Sequence, residues 1–409
     1  MKLRKLTQLT ALSAAFVGSA SFAASNDALL DLLVKKGVLT DQEATAVAAE
    51  LQADAPVYVT AKGKAVDSIK LTGRVHFQYD SINNDNGDNS EDGFFFRRLY
   101  LGAEAKFFEN YYAKLIANYS DDDGDIDIDK AIVGWKYSSA FTGEAGYQKA
   151  PFGFYETTSS SKIKTVERSI ANRYFVEGDG IQLGGRHAGL FAKGDLGGGF
   201  GYKAAIVQSV PSNTRNDNRE DDNRGFGGFA RVQWESEEFD NGGQLMLGAD
   251  LAFMQDGNRF IGNGEVAQDS DLIAYGIHGQ YSLGDFLLSA EALATTVDDV
   301  VIGANTDDVD VFGFTVVPSY KINDQWELVG QYSYIDSDDA NLLDIDNLVR
   351  RSNVSGDYNE GVSYYIGFNY YIKGNDLKLT GGYELSEFEA NGGNDVEVDT
   401  FRLRLQALF

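Results

Sequence analysis

Cysteine is absent from the 409 residues, which excludes disulfides, thiolate nucleophiles and cysteine-ligated metal. Histidine is nearly absent. The three imidazoles, His76, His187 and His278, stand in no nucleophile or zinc motif, and no G-x-S-x-G or H-E-x-x-H occurs. A hydrolase would therefore have no recognisable catalytic set, and no cofactor or metal is implied. Basic residues are in the minority, 35 Lys and Arg against 62 Asp and Glu, and a formal charge of -27 excludes nucleic acid as a partner. After the first two dozen residues no apolar run approaches the ~20 residues of a transmembrane helix. Any passage through a bilayer then requires a closed barrel.

At the N-terminus Lys2, Arg4 and Lys5 precede an apolar run from Leu9 to Val17, and Ser21, Phe22 and Ala23 follow. This predicts a secretory signal over residues 1–23 and an exported mature chain. Residues 24–65 are read as a periplasmic helical pair and linker. Leu29, Leu32 and Leu33, then Ala44, Val47, Ala48 and Leu51, recur at helical spacing; Gly37 ends one helix and Thr40 with Glu43 caps the next. A trimerising or wall-contacting element is the alternative reading of the pair.

From Val66 the period changes to two. Sixteen alternating runs follow, at 66–80, 93–107, 111–119, 128–137, 142–149, 181–193, 200–210, 225–236, 243–255, 271–283, 285–297, 309–321, 325–335, 361–373, 376–388 and 397–409. Tight connections such as Phe108-Glu109-Asn110 and Gly284-Asp285 alternate with long polar ones, among them PSNTRNDNREDDN and YIDSDDANLLDIDNLVRRSNVSGDYNEG. Alternating short and long turns, 22 Tyr, 26 Phe and a last strand ending in Phe409 predict an all-β fold: a 16-stranded antiparallel transmembrane β-barrel over 66–409. The long connections should all be external.

The segments LTGRVHFQYD, FFFRRLYLGAEAKFF and KAPFGFYETTSSSKIKTVERSIANRYF, with the closing YYIGFNYYIKGNDLKLTGGYELSEF and TFRLRLQALF, resemble the phosphate-selective porin O and P family over nearly the whole mature chain. The resemblance implies an outer-membrane porin, trimeric, passing small anions along a basic lumen into which the third external loop folds. It places Arg74, Arg97, Arg98, Tyr100, Ser161 and Lys162 at the constriction. Outer-membrane lipid, lipopolysaccharide and two further copies of the chain are the implied partners.

Strand parity adds candidates independently. Lys70, Arg74 and His76 lie opposite the apolar face of the first strand, and Arg402 and Arg404 oppose Leu403 and Phe409 on the last. An arginine facing lipid costs ~2–4 kcal/mol at midplane, so these side chains belong inside. Arg97 shares a face with Leu99 and Leu101. Either a bulge turns it inward or it lies near the external end of its strand, where that cost fades. The 149–180 segment is slightly basic and rich in hydroxyls, as an inward loop serving anions should be. Two departures weaken strict phosphate selectivity: Arg215, Arg219 and Arg224 are diluted by carboxylates, and Lys130 stands where an acid is expected. A non-selective or weakly cation-selective pore is the rival within the class; a barrel with a blocked lumen is the rival outside it.

Overall fold

The computed structural model describes residues 66–409 except 86–90, 121–125, 177–180, 182, 210–224, 256–259, 262–263, 267–270, 303–304, 339–340, 355 and 394. The expected signal (1–23), the helical pair and linker (24–65), the carboxylates at 121–125 and the arginines Arg215, Arg219 and Arg224 lie outside the described residues.

Sixteen long strands form the wall: β1 (Val66–Asn84), β2 (Glu91–Phe107), β3 (Tyr111–Asn118), β4 (Asp127–Lys136), β5 (Thr142–Lys149), β6 (Arg186–Gly197), β7 (Phe200–Gln208), β8 (Phe226–Glu235), β9 (Gly243–Met254), β10 (Leu272–Leu283), β11 (Phe286–Ile302), β12 (Asn305–Lys321), β13 (Trp326–Asp336), β14 (Glu360–Lys373), β15 (Leu377–Glu389) and β16 (Val396–Leu408). Each pairs antiparallel with its chain neighbour, and β16 returns to β1 in a register running from Arg74↔Leu408 to Asn84↔Val398. The sheet therefore closes and has no free edge, which a bilayer demands of any spanning sheet. Phe409 completes the seam. Its carbonyl accepts from Gly73 N at 2.7 Å, and its ring covers Gly73 so closely that a Cβ there would lie 2.2 Å from it.

Alternation decides which face meets lipid. On β14 Tyr364 and Ile366 are exposed, the latter 71%, while Ser363, Tyr365 and Asn369 are buried; on β16 Phe401 and Leu405 are exposed and Thr400, Arg402, Arg404 and Gln406 are buried. So many exposed large apolar side chains would drive aggregation in water and are satisfied by hydrocarbon. Chain contacts separate a small unit, Met1–Thr72 with Gly102–Ala113, from a large one, Gly73–Leu101 with Lys114–Phe409. In the small unit the β2–β3 turn places Phe108 and Glu109 at φ 49 and 64, and Glu109 N donates to Asp67 at 3.1 Å. The pathway described below lies wholly in the large unit.

Three strands depart from their expected bounds. β6 begins at Arg186 rather than 181, because Ile181 N and Leu183 N instead donate to Tyr174 O and Phe175 O and finish the preceding loop. β11 and β12 run on as a ribbon beyond their expected ends, through a bulge between Val297 and Val300 with Asp299 at φ 55. A third difference concerns the lumen. The 150–185 connection folds inward, with α1 (Phe154–Thr157) and the fully buried α2 (Ile170–Val176). The 337–359 connection, read from its polarity as wholly external, also packs inward. Its α3 (Ile345–Leu348) and Leu342, Leu343, Val349, Val354 and Tyr358 join Ile170, Tyr174 and Phe175 in one apolar cluster inside the β11–β16 wall.

Candidate functional site

The inward 150–185 loop is pinned from nearly every side, so its position is not left to chance. Gly153 N donates to Asp250 on β9 at 3.0 Å, and Asn172 Nδ2 to Glu291 on β11 at 3.0 Å. Ser169 meets Thr315 on β12 at 2.6 Å, and Lys164 pairs with Glu327 on β13 at 2.6 Å. Asn369, Lys378 and Gln406, from β14, β15 and β16, donate to the carbonyls of Lys164, Ile163 and Ser161. A polar lumen wall would otherwise leave these groups unsatisfied where the loop excludes water. Pairing them with loop backbone meets that demand and fixes the loop.

Packing the loop against β8–β16 leaves a cavity of about 760 Å³ on the other side, lined by β1–β7, the loop and Arg350 from the second inward connection. Ten Lys or Arg residues line it against four carboxylates. Three of those carboxylates are already engaged: Asp129 with Arg186, Glu144 with Lys193 at 2.6 Å, and Glu156 with Lys149 and with Arg168, the latter at 3.0 Å. Among the described residues Arg98, Lys130 and Lys203 on this wall make no ion pair. The wall therefore carries a positive surplus although the chain as a whole is strongly acidic.

Arg74, Arg97, Arg98 and Tyr100 line this cavity together. Arg74 donates from Nη1 to Ser160 Oγ at 2.6 Å and from Nη2 to Ser159 Oγ at 3.0 Å, and its guanidinium lies 5.4 Å from the Tyr100 ring centre. Arg97 reaches the interior through a change of parity in β2. Phe94 and Phe96 are exposed on even positions and Leu101 on an odd one, and between them both Arg97 and Arg98 line the cavity. Arg97 Nε donates to Glu167 Oε1 at 2.8 Å.

The remaining predicted residues sit elsewhere. Ser161 is buried behind Ser159, their hydroxyls 2.9 Å apart, and the cavity receives Ser159 and Ser160 instead, because the turn closed by Lys162 N to Ser159 O presents those two. Lys162 is exposed and lines none of the cavity. Lys70 is exposed in the small unit. Arg402 and Arg404 do point inward, but they are buried and neutralised rather than open to a solute. Arg402 meets Asp80 at 3.5 Å and Glu384 at 3.2 Å; Arg404 pairs with Glu167 and donates to Gln78 at 2.7 Å.

Glu167 escaped sequence reading and is the hub of the arrangement. It sits on the loop, fully buried; burial raises its pKa, but Arg97, Arg404, Arg98 and Arg350 outweigh that and hold it well below the usual carboxylate range. Also missed was a row across the wall, Lys193↔Lys203↔Arg231↔Asp250, in which like charges stand directly opposite on adjacent strands. Such placement is unfavourable for stability alone. Its signal appears only once register is known.

A closed sixteen-stranded barrel with lipid-facing aromatics, and with an interior loop that leaves a cavity lined by polar and basic side chains, is an outer-membrane porin, a channel for small solutes. Residues 69–409 match the family described as phosphate-selective porin O and P, and the chain belongs to it. No curated protein sequence matches the chain. Among solved structures it is similar to an anion-selective porin from Comamonas acidovorans (15% identity, TM-score 0.58, covering 83% of this chain and 99% of that one). It is also similar to a trimer form of the outer membrane protein OmpT of Vibrio cholerae (15%, 0.54, 83% and 99%) and to the outer membrane channel DcaP of Acinetobacter baumannii (13%, 0.57, 86% and 99%).

Proposed function

We propose that this porin prefers small anions, phosphate among them, and works as a homotrimer set in outer-membrane lipid and lipopolysaccharide. The observation that carries the reading is the charge of the passage itself: Arg98, Lys130 and Lys203 face it without ion pairs, while three of its four carboxylates are occupied. In a narrow passage with low-dielectric walls such a surplus is focused on the solute, whereas carboxylates beyond a screening length of ~8 Å have little influence. Arg74, held by two serine hydroxyls and stacked near Tyr100, offers an anion a preformed cation with hydroxyls beside it. Family membership and the similarity to an anion-selective porin support the same preference, and the OmpT trimer form supports the assembly.

Reversal potentials across a planar bilayer under a salt gradient test this directly. The native channel should favour chloride over potassium, and Arg74→Gln with Arg98→Gln should shift the potential toward cations and weaken block of chloride current by phosphate. Cation preference in the native protein would hand control to the external carboxylates and leave a general pore.

A further inference from the structure

The first turn of the inward loop is gripped from four consecutive strands of the wall behind it. Arg231 on β8 pairs with Asp250 on β9 at 2.5 Å and donates from Nη1 to Thr157 Oγ1, and Asp250 also accepts from Gly153 N at 3.0 Å. His278 on β10 lays its ring against that of Phe154, the centroids 5.1 Å apart and the planes 14° from parallel. Glu291 on β11 accepts from Phe154 N with one oxygen and from Asn172 Nδ2, at 3.0 Å, with the other. Gly153 stands at φ 75, a left-handed conformation that lets successive amides reach carboxylates two strands apart. Asp250 lies eight of the sixteen strands round the ring from Arg74 on β1, half the circumference. Yet the segment that starts at Asp250 ends in Ser159 and Ser160, whose hydroxyls hold Arg74 at 3.0 and 2.6 Å. Residues 153–160 are thus a strut from one wall of the barrel to the other.

We infer that Asp250 and Glu291 are positioning residues for transport: from the far wall they set, through this strut, where Ser159 and Ser160 stand and so how Arg74 is presented to a passing solute. Neither carboxylate lines the cavity, and neither do Arg231 and His278. A helical turn as short as Phe154–Thr157 does not hold its own shape, so it must be fixed from outside. Arg168 braces it within the loop by donating to the carbonyls of Tyr155 at 3.0 Å, Thr158 at 3.2 Å and Glu156 at 3.3 Å, and the segment therefore moves as one piece. A shift of the serine hydroxyls by ~0.5–1 Å carries their bonds to Arg74 to the limit of hydrogen bonding or past it. A functional side chain has to be held within about 0.5 Å, and for Arg74 that hold originates at β9 and β11. Two effects of removing Glu291 then oppose each other. Loss of its negative charge favours anions, whereas loss of its grip on the strut disperses the cation and hydroxyls that would bind them.

The full-length channel in planar bilayers tests this, with Glu291→Ala and Glu291→Gln each made in the native chain and together with Arg74→Gln. One readout is block of chloride current by inorganic phosphate, which rests on the anion-preferring reading above. The other is the largest poly(ethylene glycol) that enters the pore, which does not. Glu291→Ala is expected to weaken phosphate block about fivefold, the equilibrium weight of one net hydrogen bond, and to admit larger polymers. Glu291→Gln keeps one acceptor and should do both to a lesser degree. With Arg74 already replaced, neither change at Glu291 should weaken block further. A stronger block in the Glu291 variants, as loss of charge alone would give, overturns the inference, and so does an equal weakening with and without Arg74. If the alanine variant fails to insert, the glutamine variant carries the same comparison in both backgrounds. If phosphate does not block the native channel, the anion reading falls and the polymers decide: an unchanged size limit in the Glu291 variants then overturns the strut as well.

Discussion

Replacing Glu167 by Gln probes the junction between loop and wall. The carboxylate accepts from Arg97 at 2.8 Å and from Arg404, with Arg98 and Arg350 close enough to depress its pKa. Glutamine keeps the volume and removes one negative charge beside the passage. Breaking one partner of a buried ion pair costs about 3–5 kcal/mol, because the arginines are left uncompensated. The loop has many other anchors, from Asp250 round to Gln406, so it should stay inside while the barrel loses thermal stability. The electrostatic effect on transport is smaller and of definite sign. At ~8 Å in water-like dielectric a unit charge is worth ~0.5 kcal/mol, about twofold in anion occupancy, and wall focusing enlarges it. E167Q should therefore raise the chloride-over-potassium preference in a salt-gradient measurement. The pH dependence follows. A carboxylate with a depressed folded-state pKa contributes fully above its unfolded value and loses that contribution as pH falls through the folded value. Glu167 is held well below 4.5, so native and variant channels should still differ at pH 4.5 and converge only below it. A shift of E167Q toward cations, or convergence already at pH 5, would refute the placement of this carboxylate beside the path.

Arg402→Gln leaves Asp80 and Glu384 without their cation in the interior, and is expected to lower barrel stability by about 3–5 kcal/mol. The unfolding temperature read from the heat-dependent gel shift should fall while the reversal potential changes little, since the guanidinium is shielded from the cavity. Gly194→Ala meets backbone: a Cβ there would lie 1.9 Å from Ala140 O in the β4–β5 turn. A loss of roughly 1–3 kcal/mol without any change in selectivity is expected, and a stability equal to native would mean that this turn does not pack as described.

Much of this molecule could be read from its letters, and the reason is local. A strand in a bilayer wall alternates lipid and interior with a period of two, and an arginine on the lipid side costs ~2–4 kcal/mol, so parity alone turns Arg74, Arg98, Arg402 and Arg404 inward. Turn chemistry and the alternation of short and long connections supplied the count of sixteen strands, and the family resemblance implied the loop that enters the lumen, with which the basic, hydroxyl-rich character of 149–180 agrees.

What parity cannot say is what an inward side chain meets. Arg402 and Arg404 are silenced by Asp80, Glu384 and Glu167, partners that only register and loop placement bring near, while Arg98 on the same interior lines the cavity without an ion pair. Ser161 yields its predicted place to Ser159 and Ser160 through the rotation of a single turn. The inward course of 337–359 was masked by its carboxylates, although Leu342, Ile345 and Leu348 recur three apart and form its buried face. The wall is legible residue by residue, because each strand answers to the solvent on its two faces. The passage is a property of the closed fold, because whether a charge is spent or open depends on which distant residue the barrel sets beside it.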